Sequence, residues 1–113
     1  MTDESQELID EQAYSWLEMH KKSALSFLVL HALKKDTMWS KDLAQWITCT
    51  TGWTITEKGL YRILRRMQKQ GSIMFSSEAA ARTGAERKVY RITPEGRALL
   101  MAMRSELGYL EKM

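Results

Sequence analysis

Apolar residues recur along this chain with changing period, and the changes mark out its elements. From about Ser5 to His20, Ile9, Ala13, Trp16 and Leu17 share one side of a helix otherwise rich in acids. "ALSFLVLHAL" (Ala24–Leu33) is apolar almost all round, which predicts a second helix buried in the core. "KKDT" then makes a polar connection, and Ser40 is placed to N-cap a short helix, "KDLAQWIT", that buries Leu43, Ala44 and Ile47. "CTTGWTIT" reads as a loop or a short extended piece. Thr56 is positioned to cap the next helix, Glu57 suits its positive end, and Gly71 supplies its stop. "SIMFS" and "KVYRIT" are β-type stretches around a polar loop, "EAAARTGAER", and predict a hairpin with a long tip. Thr93-Pro94-Glu95 opens a final helix, with threonine as cap and proline at the first position. Along it Leu100, Met103, Leu107 and Leu110 form a narrow seam suited to a partner helix.

The helix between Thr56 and Gly71, "EKGLYRILRRMQKQG", adds charge to this picture. On a helical projection Leu60, Ile63, Leu64 and Met67 fall within an arc of about 100°. Lys58, Arg62, Arg65, Arg66 and Lys69 gather on the opposite side, with Tyr61 at the flank. A face built only for solubility would mix signs, because oppositely charged i,i+4 pairs stabilise a helix. Here cations stand three and four apart and repel one another, which points to an anionic partner; a solvated face is the plainer alternative. The formal net charge of +3 conceals a strong segregation. Residues 1–20 carry −6, residues 21–53 carry +3, residues 54–92 carry +6, and residues 93–113 balance. Localised positive charge of this kind suits a surface that meets nucleic acid.

Other chemistry finds little support. A length of 113 residues with 44% hydrophobic and 27% charged content describes one globular domain. Cys49 is the lone cysteine, so no internal disulfide forms and a reducing, cytoplasmic setting is expected. The apolar run at Ala24–Leu33 is too short to cross a bilayer and lies behind an acidic segment, unlike a signal peptide. No membrane partner is expected. His20 and His31 stand without further ligands at metal spacing, and there is no catalytic triad, phosphate loop or paired carboxylate with a base. Neither an enzyme nor a bound cofactor or metal is expected.

The order of elements is helix, helix, short helix, loop, basic helix, hairpin, helix. A short helix, a turn, a basic helix and a two-stranded hairpin make a winged helix-turn-helix, so the expected fold is mainly α with a small β-hairpin. Residues 1–22 would form an N-terminal helix, residues 23–92 the winged core, and residues 93–113 a C-terminal dimerisation helix. The basic helix would enter the major groove of double-stranded DNA. Arg82, Arg87 and Lys88 at the hairpin would meet backbone or minor groove.

Three stretches carry a family resemblance. "GLYRILRRMQKQGSI" and "ERKVYRITPEGRALL" resemble the basic-helix and wing signatures of the PadR transcriptional regulators, and Leu25–Leu33 is similar to that family's first core helix. The match spans roughly residues 24–100. Trp39-Ser40-Lys41 replaces the family's His-Gly-Tyr-like turn, and Lys58 stands where a glycine is usual. The resemblance implies a repressor-like homodimer of the short subgroup, with Ile9, Trp16, Leu100, Met103, Leu107 and Leu110 at the interface. Small relatives bind flat aromatic ligands between tryptophans at that interface. An aromatic effector beside Trp16 is therefore an implied partner, with plain burial of Trp16 as the simpler reading. The rival to a DNA-binding regulator is a winged-helix module that binds another protein.

Overall fold

A computed structural model of the protein describes residues 2–79 and 84–113. Its elements are α1 (Asp3–Lys35), β1 (Met38–Trp39), α2 (Ser40–Thr51), α3 (Glu57–Lys69), β2 (Ile73–Ala79), β3 (Glu86–Ile92), α4 (Pro94–Glu106) and a closing 3-10 segment, Leu107–Lys112. The expected mainly helical fold with a small β-sheet is what forms.

Three details differ from the sequence expectation. The two N-terminal helices are one, because Lys21-Lys22-Ser23 interrupts the apolar pattern without breaking the backbone. No glycine or proline lies between Asp3 and Lys35, and the Ser23 and Ser26 hydroxyls donate back to the carbonyls of His20 and Ser23. The hairpin gains a third strand, giving the order β1-β3-β2, with Met38 opposite Tyr90 and Trp39 opposite Val89. That pairing holds Trp39 extended, so Trp39 occupies the cap position of α2 and Ser40 is its first helical residue. The final helix changes to 3-10 geometry at Leu107, next to Gly108, the weakest helix former in that stretch.

The core forms where α1 ends. Val29, Leu30, Ala32 and Leu33 meet Leu43 and Ile47 of α2, Leu60, Leu64 and Met67 of α3, Ile73 and Tyr90 of the sheet, and Leu100 of α4. Removing each large side chain from water contributes about 1.5–3 kcal/mol. The first half of α1 has no such cover, and Leu8, Ile9, Tyr14, Trp16 and Met19 are all exposed. This projecting half gives the molecule extents of 58 × 34 × 23 Å and a radius of gyration of 17.0 Å. A compact chain of this length would measure about 13 Å. No helix among the described residues is long and apolar enough to cross a membrane.

Both ends of α3 are fixed by short-range bonds. The Thr56 hydroxyl accepts from the Gly59 N–H at 3.0 Å, and Gly71 takes a positive φ of 82° to stop the helix. The α3–β2 corner is then tied to the start of α4. Thr93 donates its hydroxyl to the Gly71 carbonyl at 2.6 Å and its N–H to the Ser72 carbonyl at 3.1 Å. Gly96 packs so closely over this corner that an added Cβ would lie 2.0 Å from the Ser72 carbonyl oxygen. Gly96→Ala should therefore destabilise the fold by about 1–3 kcal/mol in urea unfolding. Gly108→Ala, with nothing within 4 Å of its added methyl, should change stability far less. Equal effects would show that the corner yields.

Candidate nucleic-acid interface

The rotation of α3 is set by burial of Leu60, Leu64 and Met67, with Ile63 half-buried beside them. The same rotation turns Lys58, Arg62, Arg65, Arg66 and Lys69 to solvent, and all five are exposed. No carboxylate neutralises them, because the one ion pair among the described residues joins Lys21 to Glu18 on α1. Tyr61 is half-buried at the edge of this face, and its hydroxyl pairs with that of Ser40 at 3.1 Å. Residue 61 thus ties α3 to the start of α2 and keeps its oxygen at the rim of the charged face.

The wing flanks this face. In the hairpin register Lys88 stands opposite Ser77 and Arg87 opposite Glu78. Arg82 lies outside the described residues. The two described residues among the expected wing cations, Arg87 and Lys88, behave differently. Lys88 is exposed, its ammonium 4.6 Å from the Phe75 ring centroid. The Arg87 guanidinium lies 4.6 Å from the centroid of Trp39, and its Nε is buried with no hydrogen-bond partner. Lys41 approaches the same indole at 5.9 Å.

Between α2, α3 and the base of the wing lies an open cleft of about 780 Å³. Lys41, Arg65, Arg87 and Lys88 line it against two carboxylates, Glu57 and Glu86, so cations predominate. On the sheet, burial pushes the Tyr90 phenol above its ordinary value, with Tyr61 adding and Arg65 opposing. Tyr90 is therefore a neutral part of the scaffold. Trp39 and Lys41 stood out in the sequence only as a departure from the family's turn, not as site residues. Lys41 left one signal, a cation in the first turn of a helix, where the dipole disfavours it. The contact of Trp39 with Arg87 left none, since it spans the chain.

The residues expected at a dimer interface separate into two groups. Leu100 belongs to the protomer's own core, and Met103 is half-buried against it. Ile9, Trp16, Leu107 and Leu110 are exposed. Trp16 stacks on His20 with centroids 5.0 Å apart, and Trp53 meets the same imidazole edge-on at 5.7 Å. Among the described residues no cluster of His, Cys, Asp and Glu could hold a metal ion.

A mainly helical domain with a three-stranded wing and an uncompensated basic helix defines a winged helix-turn-helix protein. Comparison with known proteins narrows the class. The model of the transcriptional regulator PadR-like family matches residues 29–102, and the chain belongs to that family. Its general function is accordingly that of a DNA-binding transcriptional regulator. Among solved structures it is similar to a PadR family regulator from Eggerthella lenta, with 24% identity and a TM-score of 0.77 over 93% of this chain and 90% of that one. A PadR-like regulator from Bacillus cereus shares 23% identity, with a TM-score of 0.74 over 83% and 90%. Bacillus subtilis PadR in complex with operator DNA also shares 23%, with a TM-score of 0.64 over 71% of this chain and 47% of that one. At these identities the likenesses speak to the fold. No curated protein sequence matches the chain.

The Trp39–Arg87 stack has a measurable consequence. Unfolding free energies of Trp39→Leu, Arg87→Ala and the double variant should give a coupling of about 0.5–2 kcal/mol. Zero coupling would mean that Arg87 is free of the indole.

Proposed function

We propose that this protein is a homodimeric, sequence-specific DNA-binding repressor whose helix α3 reads the major groove. The observation that carries the reading is the one-signed exposed face of α3, held outward by the buried Leu60, Leu64 and Met67. A recognition helix places its N-terminal half deepest in the groove. Lys58 and Arg62 are therefore assigned to base edges, and Arg65, Arg66 and Lys69 to phosphates. Tyr61 offers a hydroxyl to the same backbone, and Lys88 and Arg82 extend the contact along the wing. Arg87 contributes from the cleft, positioned by Trp39. The Bacillus subtilis relative is in complex with operator DNA, which supports DNA as the partner. Dimerisation is assigned to the apolar residues that one protomer leaves uncovered, Ile9 and Trp16 of α1 with Leu107 and Leu110 beyond α4.

Titration of variants on specific and scrambled duplexes at several salt concentrations tests the assignment, using duplexes that the protein selects from a random pool. Arg62→Ala should relax base preference at one position of each half-site, at a cost of about 1–3 kcal/mol on the preferred sequence. Arg66→Ala should weaken all sequences alike and lower the magnitude of the salt slope by roughly one unit. Unchanged affinity in both variants would return the stripe to a solvated face.

A further inference from the structure

We propose that the cleft between α2, α3 and the base of the wing seats one phosphate group, held by Lys41 and by Arg87 on the indole of Trp39. The inference rests on the DNA-binding reading and deepens it. It places one backbone phosphate in the cleft and gives Lys41 a contact with it.

Trp39-Ser40-Lys41 is where this chain departs from its family's turn, so the seat is a property of this sequence. Pairing with Val89 holds Trp39 extended at the edge of the sheet. Arg87 lies two residues before Val89 on β3, and alternation along a strand puts both side chains on one face. The indole opposite Val89 shares that face, which is why the guanidinium reaches it, 4.6 Å from the ring centroid. Lys41 comes to the same indole from the first turn of α2, its ammonium 5.9 Å from the centroid. Two cations thus share one ring.

These groups have donors to spare. A guanidinium over a ring keeps its N–H donors in its own plane, open to an acceptor that arrives from the side. The Arg87 Nε is buried and has no hydrogen-bond partner, and an unmet donor away from water is costly. Lys41 and Arg87 have no ion-pair partner among the described residues, although Glu57 and Glu86 line the same cleft. Asp42, the acid in the first turn of α2, is not part of its lining. The Ser40 and Tyr61 hydroxyls bond each other at 3.1 Å, and whichever donates, one hydroxyl hydrogen is left over. An acceptor with several charged oxygens satisfies the fork of Arg87, the ammonium of Lys41 and this hydroxyl together. A phosphate group is such an acceptor.

The position of the cleft favours the DNA backbone as the source of that phosphate. Arg65 lines the cleft and also belongs to the exposed cationic face of α3, so the two surfaces are continuous. Lys88 of the wing lines it as well. A sugar-phosphate strand that runs from α3 to the wing therefore passes over the seat. At about 780 Å³ and open to solvent, the cleft has far more room than a free phosphate ion fills.

Neutralising single phosphates tests the seat in the full chain. A duplex selected by the protein is remade with an uncharged methylphosphonate at one backbone position at a time. For the unaltered protein, one position in each half-site should lose about tenfold in affinity, as expected of a charge-assisted contact. For Lys41→Ala or Arg87→Ala the same position should lose no more than about twofold, because the contact is already gone. Lys41 is exposed, so its replacement leaves the core intact, and Lys41→Arg should restore the sensitivity. Trp39→Leu, which removes no charge, should blunt it, as loss of the platform under Arg87 requires. Inorganic phosphate titrated into the DNA-free protein, followed at the Trp39 indole N–H resonance, reads the other source. A saturable shift at millimolar phosphate that Lys41→Ala abolishes would assign the seat to free phosphate. Variants that lose affinity by one factor on every duplex, with no saturable phosphate shift, would overturn the proposal. An unaltered protein that binds no duplex would remove the DNA-binding reading instead, and the phosphate titration would then decide the seat alone.

Discussion

The apolar stripe of α3 is the constraint on which the remaining geometry depends. Leu60, Leu64 and Met67 must leave water, and α3 packs them against α2, the start of β2 and the last turns of α1. Once they are seated, α3 has no rotational freedom left, and its five cations can only face outward. A 100° rotation would expose those apolar side chains and bring an arginine into the core, where an unpaired charge costs several kcal/mol. The direction of the charged face is thus decided by the hydrophobic effect rather than by electrostatics.

The same packing sets the wing. Ser72 and Ile73 are buried immediately after α3, so β2 leaves the core at a fixed point. The tie from Thr93 to Gly71 returns the chain to that point after β3. The wing is therefore anchored at its base by backbone bonds and braced by the Arg87–Trp39 contact. The brace holds one guanidinium in the lining of the cleft. Lys88, exposed with its ammonium over the Phe75 ring, keeps its charge available to solvent or phosphate.

Features with local signals could be read from the sequence. Helix α3 was legible throughout, because Thr56, Gly71 and the apolar spacing act within a few residues of each other. The start of α4 was legible for the same reason, in Thr93 and Pro94. Strand β1 was not, since two residues show no alternation and Met38–Trp39 becomes a strand only by pairing with β3. The unity of α1 was hidden by three polar residues that lie on a solvent-exposed stretch of a continuous helix. The seam at Leu100 and Met103 was real as a pattern, but periodicity reports that a face is buried and not by what. Here the protomer itself covers Leu100 and leaves Leu107 and Leu110 outside. That the five cations of α3 share one exposed face was legible, while the separate surroundings of Arg87 and Lys88 depend on Trp39 and Phe75, distant in the chain.

What unites these elements is a basic helix turned to solvent, which on the proposed reading enters the major groove. Guanine N7 is accessible there and not in the minor groove, so its methylation reports directly on which groove is read. The decisive measurement is methylation interference on a duplex selected by the protein. Binding should be lost when guanine N7 is methylated within each half-site, where Lys58 or Arg62 would approach. Undiminished binding to N7-methylated duplex, with interference confined to adenine N3 in the minor groove, would contradict the account.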